Sequence, residues 1–252
     1  MKKNALDNGF QLAAFDIISS TNEEAKKLAE EGAPSGTVVW SKTQTAGRGR
    51  QGTKWFSPPG NLYLSLLLRM DCDAKIVSEL VFLSALAVRD ALPKVNLLFK
   101  WPNDILSRDA RKLAGILLDA KAGTSGKADW VVIGVGVNIA SHPADKDVDR
   151  PATCLKKLGR NMEVDELLQA FLDKFSIWYN IWNNEGFAPI RKSWKKNAAF
   201  LGEQVNINLN NKLMTATFKD INETGELVII LPGGEEISIS AGDMFLGETK
   251  KK

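Results

Sequence analysis

Glycine, arginine and tryptophan are interleaved in one stretch of this chain, Thr45-Ala46-Gly47-Arg48-Gly49-Arg50-Gln51-Gly52-Thr53-Lys54-Trp55-Phe56-Ser57-Pro58-Pro59-Gly60. Together they supply complementary parts of a grip on an anionic nucleotide. Gly47, Gly49 and Gly52 give the backbone access to positive φ, so that its N–H groups can close on a ligand. Arg48 and Arg50 carry planar donor forks that match phosphate or carboxylate oxygens, and Trp55 offers a face for stacking. Read alone, a glycine-arginine loop is more often a solvated basic turn. The spacing also satisfies G-x-G-x-x-G after the strand-like run Thr37 to Ser41, but a dinucleotide-binding turn must open a helix, and Pro58-Pro59 forbids one.

Four further segments are polar where strands are expected to end: Ser20-Thr21-Asn22, Lys100-Trp101-Pro102-Asn103-Asp104, Arg111 to Leu117, and Gly134-Val135-Gly136-Val137-Asn138. Lys112 is the sharpest feature among them. It enters an otherwise apolar run, where its charge can neutralise negative charge developing on phosphate oxygens. The commoner situation for an isolated lysine is an edge position with the stem packed and the head in water. His142 is the only histidine, which removes Ser-His-Asp and Cys-His arrangements by inventory. Cys72 and Cys154 are too few and too far apart for a disulfide framework, and no C-x-x-C or histidine cluster suggests zinc.

The elements that would hold these segments follow from periodicity and breakers. Ser20 or Thr21 caps a helix, with a glutamate three positions on completing a capping box, and Gly32 and Pro34 end it. A second helix is expected over Ala74 to Leu92, a third over Val164 to Trp182 and a fourth over Phe187 to Lys196. Val95 to Phe99, Leu113 to Leu118 and Trp130 to Ile139 read as strands covered on one face by helices. After Asn197 the pattern switches to alternation at Val205, Ile207 and Leu209, at Met214, Ala216 and Phe218, along Leu227 to Leu231, and at Ile237 and Ile239. Turns fall at Asn210-Asn211, Asn222 to Gly225 and Pro232 to Gly234. This reads as a small antiparallel barrel or sandwich, and Lys250 to Lys252 as a frayed, solvated tail.

A length of 252 residues with 44% hydrophobic content fits one large core plus a smaller unit. A net charge of +3 is too weak to argue for nucleic acid by itself. No apolar signal core follows Met1 to Asp7, and no stretch reaches the length of a bilayer span, so a reducing cytoplasm and no membrane are expected.

In matching order and over most of the chain, these residues resemble the biotin protein ligase family. The resemblance rests on Ser20-Thr21-Asn22, Gln44 with Gly47 to Gly52, Trp55-Phe56-Ser57-Pro58, Asn61-Leu62-Tyr63, Lys100 to Asp104, Lys112-Leu113-Ala114-Gly115-Ile116-Leu117 and Gly134 to Asn138. It implies an α+β fold of the class II synthetase-like biotin/lipoate ligase type: a central mixed β-sheet flanked by helices over residues 1–196, with a small C-terminal β-barrel domain over 197–252. It implies that biotin attacks the α-phosphate of ATP to give biotinyl-5′-AMP and pyrophosphate, after which an acceptor lysine takes the biotinyl group. ATP, Mg²⁺ and biotin are the small molecules expected, and the biotin carboxyl carrier protein domain of a biotin-dependent carboxylase is the expected acceptor.

Carried over position by position, the resemblance assigns catalysis to Lys112 and Arg50. Biotin binding goes to Ser20, Thr21, Asn22, Gln44, Arg48, Gly49, Arg50, Lys112 and Gly115, the last leaving room for ligand against the sheet. ATP or adenylate binding goes to Arg48, Arg50, Trp55, Lys100, Asn103 and Asn138. Metal ligands and the role of Asp104 stay open, as does the choice of monomer or homodimer. The loop would also keep the hydrolysable acyl-adenylate dry. Thr53 departs from the family pattern, which often has a basic residue there and so a stronger latch. Bifunctional ligases place a DNA-binding domain ahead of the motif that begins here at Ser20, so the ligase-only form without DNA binding is expected. The acidic residues Glu203, Asp220, Glu223, Glu226, Glu235, Glu236 and Asp243 of the C-terminal unit would repel a nucleic-acid backbone. A lipoate or octanoate ligase or transferase is the nearest alternative, but His142 lacks the surroundings that group shows. A single-strand nucleic-acid module using Arg48, Arg50, Lys54 and Trp55 is the remote one, and it would leave Lys112 and Gly134 to Asn138 without purpose.

Overall fold

The computed structural model describes residues 2–5, 9–70, 72–123, 126–148, 150–209 and 212–246. The expected turn at Asn210-Asn211 and the terminal lysines 250–252 lie outside them. Strands β1 (Lys2–Ala5), β2 (Gln11–Ile18), β3 (Thr37–Gln44), β4 (Leu62–Leu68), β5 (Leu97–Lys100), β6 (Asp104–Ser107), β7 (Lys112–Ala122) and β8 (Ala128–Val137) form one eight-stranded sheet in the order β1-β2-β3-β4-β8-β7-β6-β5. Only β2 and β3 pair in parallel, joined by helix α1 (Thr21–Glu30); the other pairs are antiparallel, so the sheet is mixed as expected.

Alternation along the central strands divides them between two faces. Leu64, Leu66, Ile133 and Val135 enter the main core, which helices α2 (Glu79–Ala91), α3 (Val164–Glu185) and α4 (Phe187–Lys195) supply through Leu83, Leu86, Phe171, Phe175 and Trp194. On the opposite face Leu67 and Val132 pack with Ala25 and Ala29 of α1. Beyond α1 that second face carries Ser65, Gly134, Gly136 and Gly115 instead of large apolar side chains, and this leaves the space in which a site can form.

Two helix expectations are corrected. The segment Ala74 to Leu92 is not one helix: the Asp73 carboxylate accepts from the Lys75 N–H and starts a 3₁₀ turn over Ala74–Ile76, and α2 begins only at Glu79. At α1, Ser20 occupies the N-cap position but its side chain makes no capping hydrogen bond, so the capping box does not form.

The C-terminal strands β9 (Gln204–Leu209), β10 (Lys212–Ile221), β11 (Leu227–Ile230), β12 (Glu236–Ile239) and β13 (Asp243–Phe245) form an antiparallel sheet in the order β12-β11-β10-β9-β13. The expected barrel is therefore corrected to a separate five-stranded sheet: β12 and β13 lie at opposite edges, with no pairing between them among the described residues. This sheet shares the main core, to which it gives Val205, Ile207, Phe218 and Met244, and the Trp101 indole donates to the Gly225 carbonyl at 3.1 Å. No described helix is long and apolar enough to cross a membrane.

Candidate active site

One row of residues runs across five strands of the large sheet. Tyr63 on β4 stands opposite Gly136 on β8, Gly136 opposite Gly115 on β7, Gly115 opposite Asp104 on β6, and Asp104 opposite Lys100 on β5. The two glycines at its centre strip the sheet to bare backbone, and Trp55 lies on that floor. A Cβ on Gly136 would stand 2.6 Å from the indole, and one on Gly115 would stand 3.1 Å from it. The Lys112 ammonium sits 5.3 Å from the centre of the same ring, within cation–π range. The indole Nε1 is buried and, like that of Trp40, has no hydrogen-bond partner among the described residues.

Beside this floor lies a polar nest. Thr21 donates from its backbone N–H to Gln44 Oε1 at 2.8 Å, and Gln44 Nε2 donates to Ser57 Oγ at 2.9 Å. Ser65 Oγ lies 2.6 Å from Asn22 Oδ1 and 2.9 Å from Thr21 Oγ1, while Asn22 Nδ2 donates to Asp119 at 3.0 Å. Ser20, Thr21 and Asn22 are all buried. Gly134 is required here, because a Cβ would fall 2.0 Å from Asn22 Oδ1. The nest thus offers a small hydrogen-bonding end to the same floor that Trp55 covers.

At the other end of the row the charges gather. Asp104 is buried and receives Lys112 on Oδ1 at 2.6 Å and Lys100 on Oδ2 at 3.0 Å, with Arg150 at 3.6 Å. Burial alone would raise the Asp104 carboxyl, but Lys100, Lys112 and Arg150 outweigh it and hold the group well below the usual carboxylate range. Burial also pulls Lys100 below the usual lysine value, against the opposing carboxylates. Asp243 of β13 accepts from Lys100 at 3.1 Å and from Arg150. Arg50 donates to Asn103 Oδ1 at 3.4 Å and to the Gly242 carbonyl at 3.3 Å, and Asn103 itself donates to the Ile116 carbonyl at 2.8 Å.

The glycine-arginine stretch is a short hairpin. Trp55 donates its N–H to the Gly47 carbonyl at 2.9 Å and Gly49 to the Thr53 carbonyl at 2.7 Å, with a 3₁₀ turn over Arg50–Gly52 at the tip. Of its three glycines only Gly52 takes positive φ, at 76°. Gly47 and Gly49 are needed for a different reason from the one expected: Cβ atoms there would come within 2.4 Å of Ser57 Oγ and 2.5 Å of Thr53 Oγ1. Thr53 fastens the tip by donating its hydroxyl to the Arg50 carbonyl at 2.8 Å.

The structure therefore brings Thr21, Asn22, Gln44, Gly115, Trp55, Lys112, Asn103 and Arg50 around one floor, with Ser20 buried at the mouth of α1. Other expected residues are placed differently. Arg48 and Gly49 lie on the hairpin's first strand, and Arg48 pairs with Glu23 of α1, which also holds Lys26 at 2.7 Å. Lys100 is only 3% exposed and stands behind Asp104. Asn138 is buried and spends its amide on the Thr153 carbonyl at 3.0 Å. Sequence reasoning missed Ser65, Asp119, Arg150 and Asp243, which reach the site from distant segments and sit in no local motif.

Residues 14–138 match the model of the biotin/lipoate A/B protein ligase family, and residues 200–247 match that of the biotin protein ligase C-terminal domain. The chain is 35% identical to a biotin–[acetyl-CoA-carboxylase] ligase of Paracoccus denitrificans, over 90% of this chain and 97% of that one. It is 31% identical to the bifunctional ligase/repressor of Escherichia coli, over 94% of this chain and 75% of that one. The solved biotin protein ligase of Aquifex aeolicus in complex with biotin and ATP superposes with a TM-score of 0.78 at 26% identity, covering 93% of this chain and 97% of that one.

Proposed function

The chain belongs to the biotin protein ligase family, and we infer that it condenses biotin with ATP to biotinyl-5′-AMP and pyrophosphate and then passes the biotinyl group to an acceptor lysine. The observation that carries the reading is the glycine floor itself: a bare strip of sheet with a small polar nest at one end and a cluster of cations at the other. A bicyclic ureido acid needs hydrogen bonds at its head, contact along its apolar body and a cation at its carboxylate. The strip supplies them in that order.

On this reading Thr21 and Asn22, oriented by Ser65, Gln44 and Asp119, face the ureido ring, and Gly115 and Gly136 leave room for the ring and chain. Lys112 meets the carboxylate and the α-phosphate, where it stabilises the charge that builds as the oxygen of biotin attacks phosphorus and pyrophosphate leaves. Arg50 closes over the phosphate from the hairpin tip, and Trp55 turns from the floor to cover adenine. Closing the hairpin also excludes water from the mixed anhydride until the lysine amine displaces AMP. Mg²⁺ accompanies the nucleotide: Asp104 and Asp243 are both occupied by lysine and arginine, and among the described residues no cluster of three acidic, cysteine or histidine side chains forms a cage of its own. The metal would neutralise charge on the departing pyrophosphate. The acceptor is a biotin carboxyl carrier domain, whose single presented lysine must reach the open side of the floor.

Exchange of pyrophosphate into ATP, run in parallel with biotin and with lipoate, tests the reading. Exchange with biotin alone is expected. Exchange with lipoate alone would transfer the site to the lipoate branch of the family.

A further inference from the structure

We propose that Asp243, supplied by the small C-terminal sheet, is a positioning residue for adenylate formation: it draws Arg150 aside so that Asp104 keeps Lys112 over the glycine floor. The inference rests on the function proposed above.

Three cations converge on Asp104, and a carboxylate has two oxygens. Lys112 takes Oδ1 at 2.6 Å and Lys100 takes Oδ2 at 3.0 Å. Arg150 stays back at 3.6 Å from Asp104, because its other terminal nitrogen is engaged by Asp243 Oδ2, while Asp243 Oδ1 steadies Lys100 at 3.1 Å. Take Asp243 away and three cations face one carboxylate. Guanidinium outcompetes ammonium for such a group, since its planar fork binds both oxygens and is less strongly hydrated. Lys100 is enclosed and has nowhere to go, whereas Lys112 is partly open to solvent. Lys112 is therefore the cation displaced, and it is the one that the chemistry needs.

A plain tether between the two sheets would not require this charge. The junction already has the buried Trp101 donating to Gly225, Met244 in the shared core, and Arg150 stacked 5.4 Å from the centre of the Phe245 ring. The Asp243 side chain is itself 43% exposed, so asparagine fits its place without a packing cost.

The test is biotin-dependent pyrophosphate exchange by the full chain. Asp243→Asn should lower kcat by about tenfold or more and raise the KM for biotin by a smaller factor, since Lys112 meets the biotin carboxylate in the ground state but the charge it stabilises grows in the transition state. Adding Arg150→Met to that variant removes the competitor and should restore most of the rate, and Asp243→Glu alone should retain it. Should the asparagine variant fail to accumulate, Asp243→Ser serves as the second truncation. A rate for Asp243→Asn within twofold of wild type overturns the proposal, and so does a double variant no faster than the single one, as a tether would give. Wild-type protein that fails to exchange sinks this inference together with the functional reading; an active wild type with an unaffected Asp243→Asn variant sinks this inference alone.

Discussion

Trp55 and Gly136 share a contact that only glycine permits, since a Cβ at position 136 would stand 2.6 Å from Cε2 of the indole. Gly136→Ala should therefore lift the indole off the sheet. The same methyl would intrude on the space that the proposed function gives to biotin once the indole has turned away; overpacking of this kind typically costs about 1–3 kcal/mol, so biotin affinity should fall by roughly tenfold or more while the fold survives. Calorimetric titration with biotin checks it; an unchanged Kd would mean that the floor does not carry the ligand.

Lys112→Ala should abolish turnover far more than stability, because the ammonium is partly exposed and its main partner, Asp104, keeps Lys100. Loss of a preorganised charge from a charge-developing step typically costs on the order of 10²-fold in rate. The comparison is exchange rate against thermal midpoint. Near-normal exchange in folded variant protein would remove Lys112 from the chemistry.

Arg50→Gly should loosen the hairpin tip, which Arg50 fastens to Asn103 and to the Gly242 carbonyl. Adenylate should still form and then escape. Biotin incorporation into an unrelated protein added in excess is the readout, and labelling no higher than that by wild type would show that Arg50 does not retain the intermediate.

Asp104→Asn removes the one carboxylate that Lys100 and Lys112 share. Breaking a buried ion pair from one side typically costs about 3–5 kcal/mol, which urea unfolding at neutral pH would register. The acid dependence has a definite sign. Because the native carboxyl is held below its ordinary value of 3.8, the native state binds the proton less readily than the unfolded chain does. The stabilisation is complete above that ordinary value and is lost as pH falls below it towards the lower native one. The stability gap between wild type and variant should therefore narrow in acid, and a gap that widened would refute the assignment.

What the sequence made legible was local. The residues of the loop, the Lys112 to Gly115 run and Thr21-Asn22 lie within short motifs whose types announce their chemistry, and the structure gathers them. Ser65 was hidden because β4, Leu-Tyr-Leu-Ser-Leu-Leu-Leu, is buried on both faces and shows no alternation from which to read a polar floor position. Asp119, Arg150 and Asp243 were hidden because their meaning arises from pairing across β7, the 150–153 segment and β13, distances in sequence that no pattern spans. The barrel expectation failed for a related reason. Alternation located β9 to β12 but not the three-residue β13, and closure depends on which strands pair, which periodicity does not encode.

The hairpin from Gly47 to Trp55 places Arg50 at its tip and the indole on its return strand, joined by backbone hydrogen bonds at both rungs. A lever of this kind has no independent ends. A molecule that reseats the indole also reseats the guanidinium, so occupancy at the acid end of the floor and occupancy at the phosphate end are expected to be thermodynamically linked, each raising affinity for the other by the same factor. The coupling would then be inherited from the stiffness of nine residues rather than from contact between the two ligands.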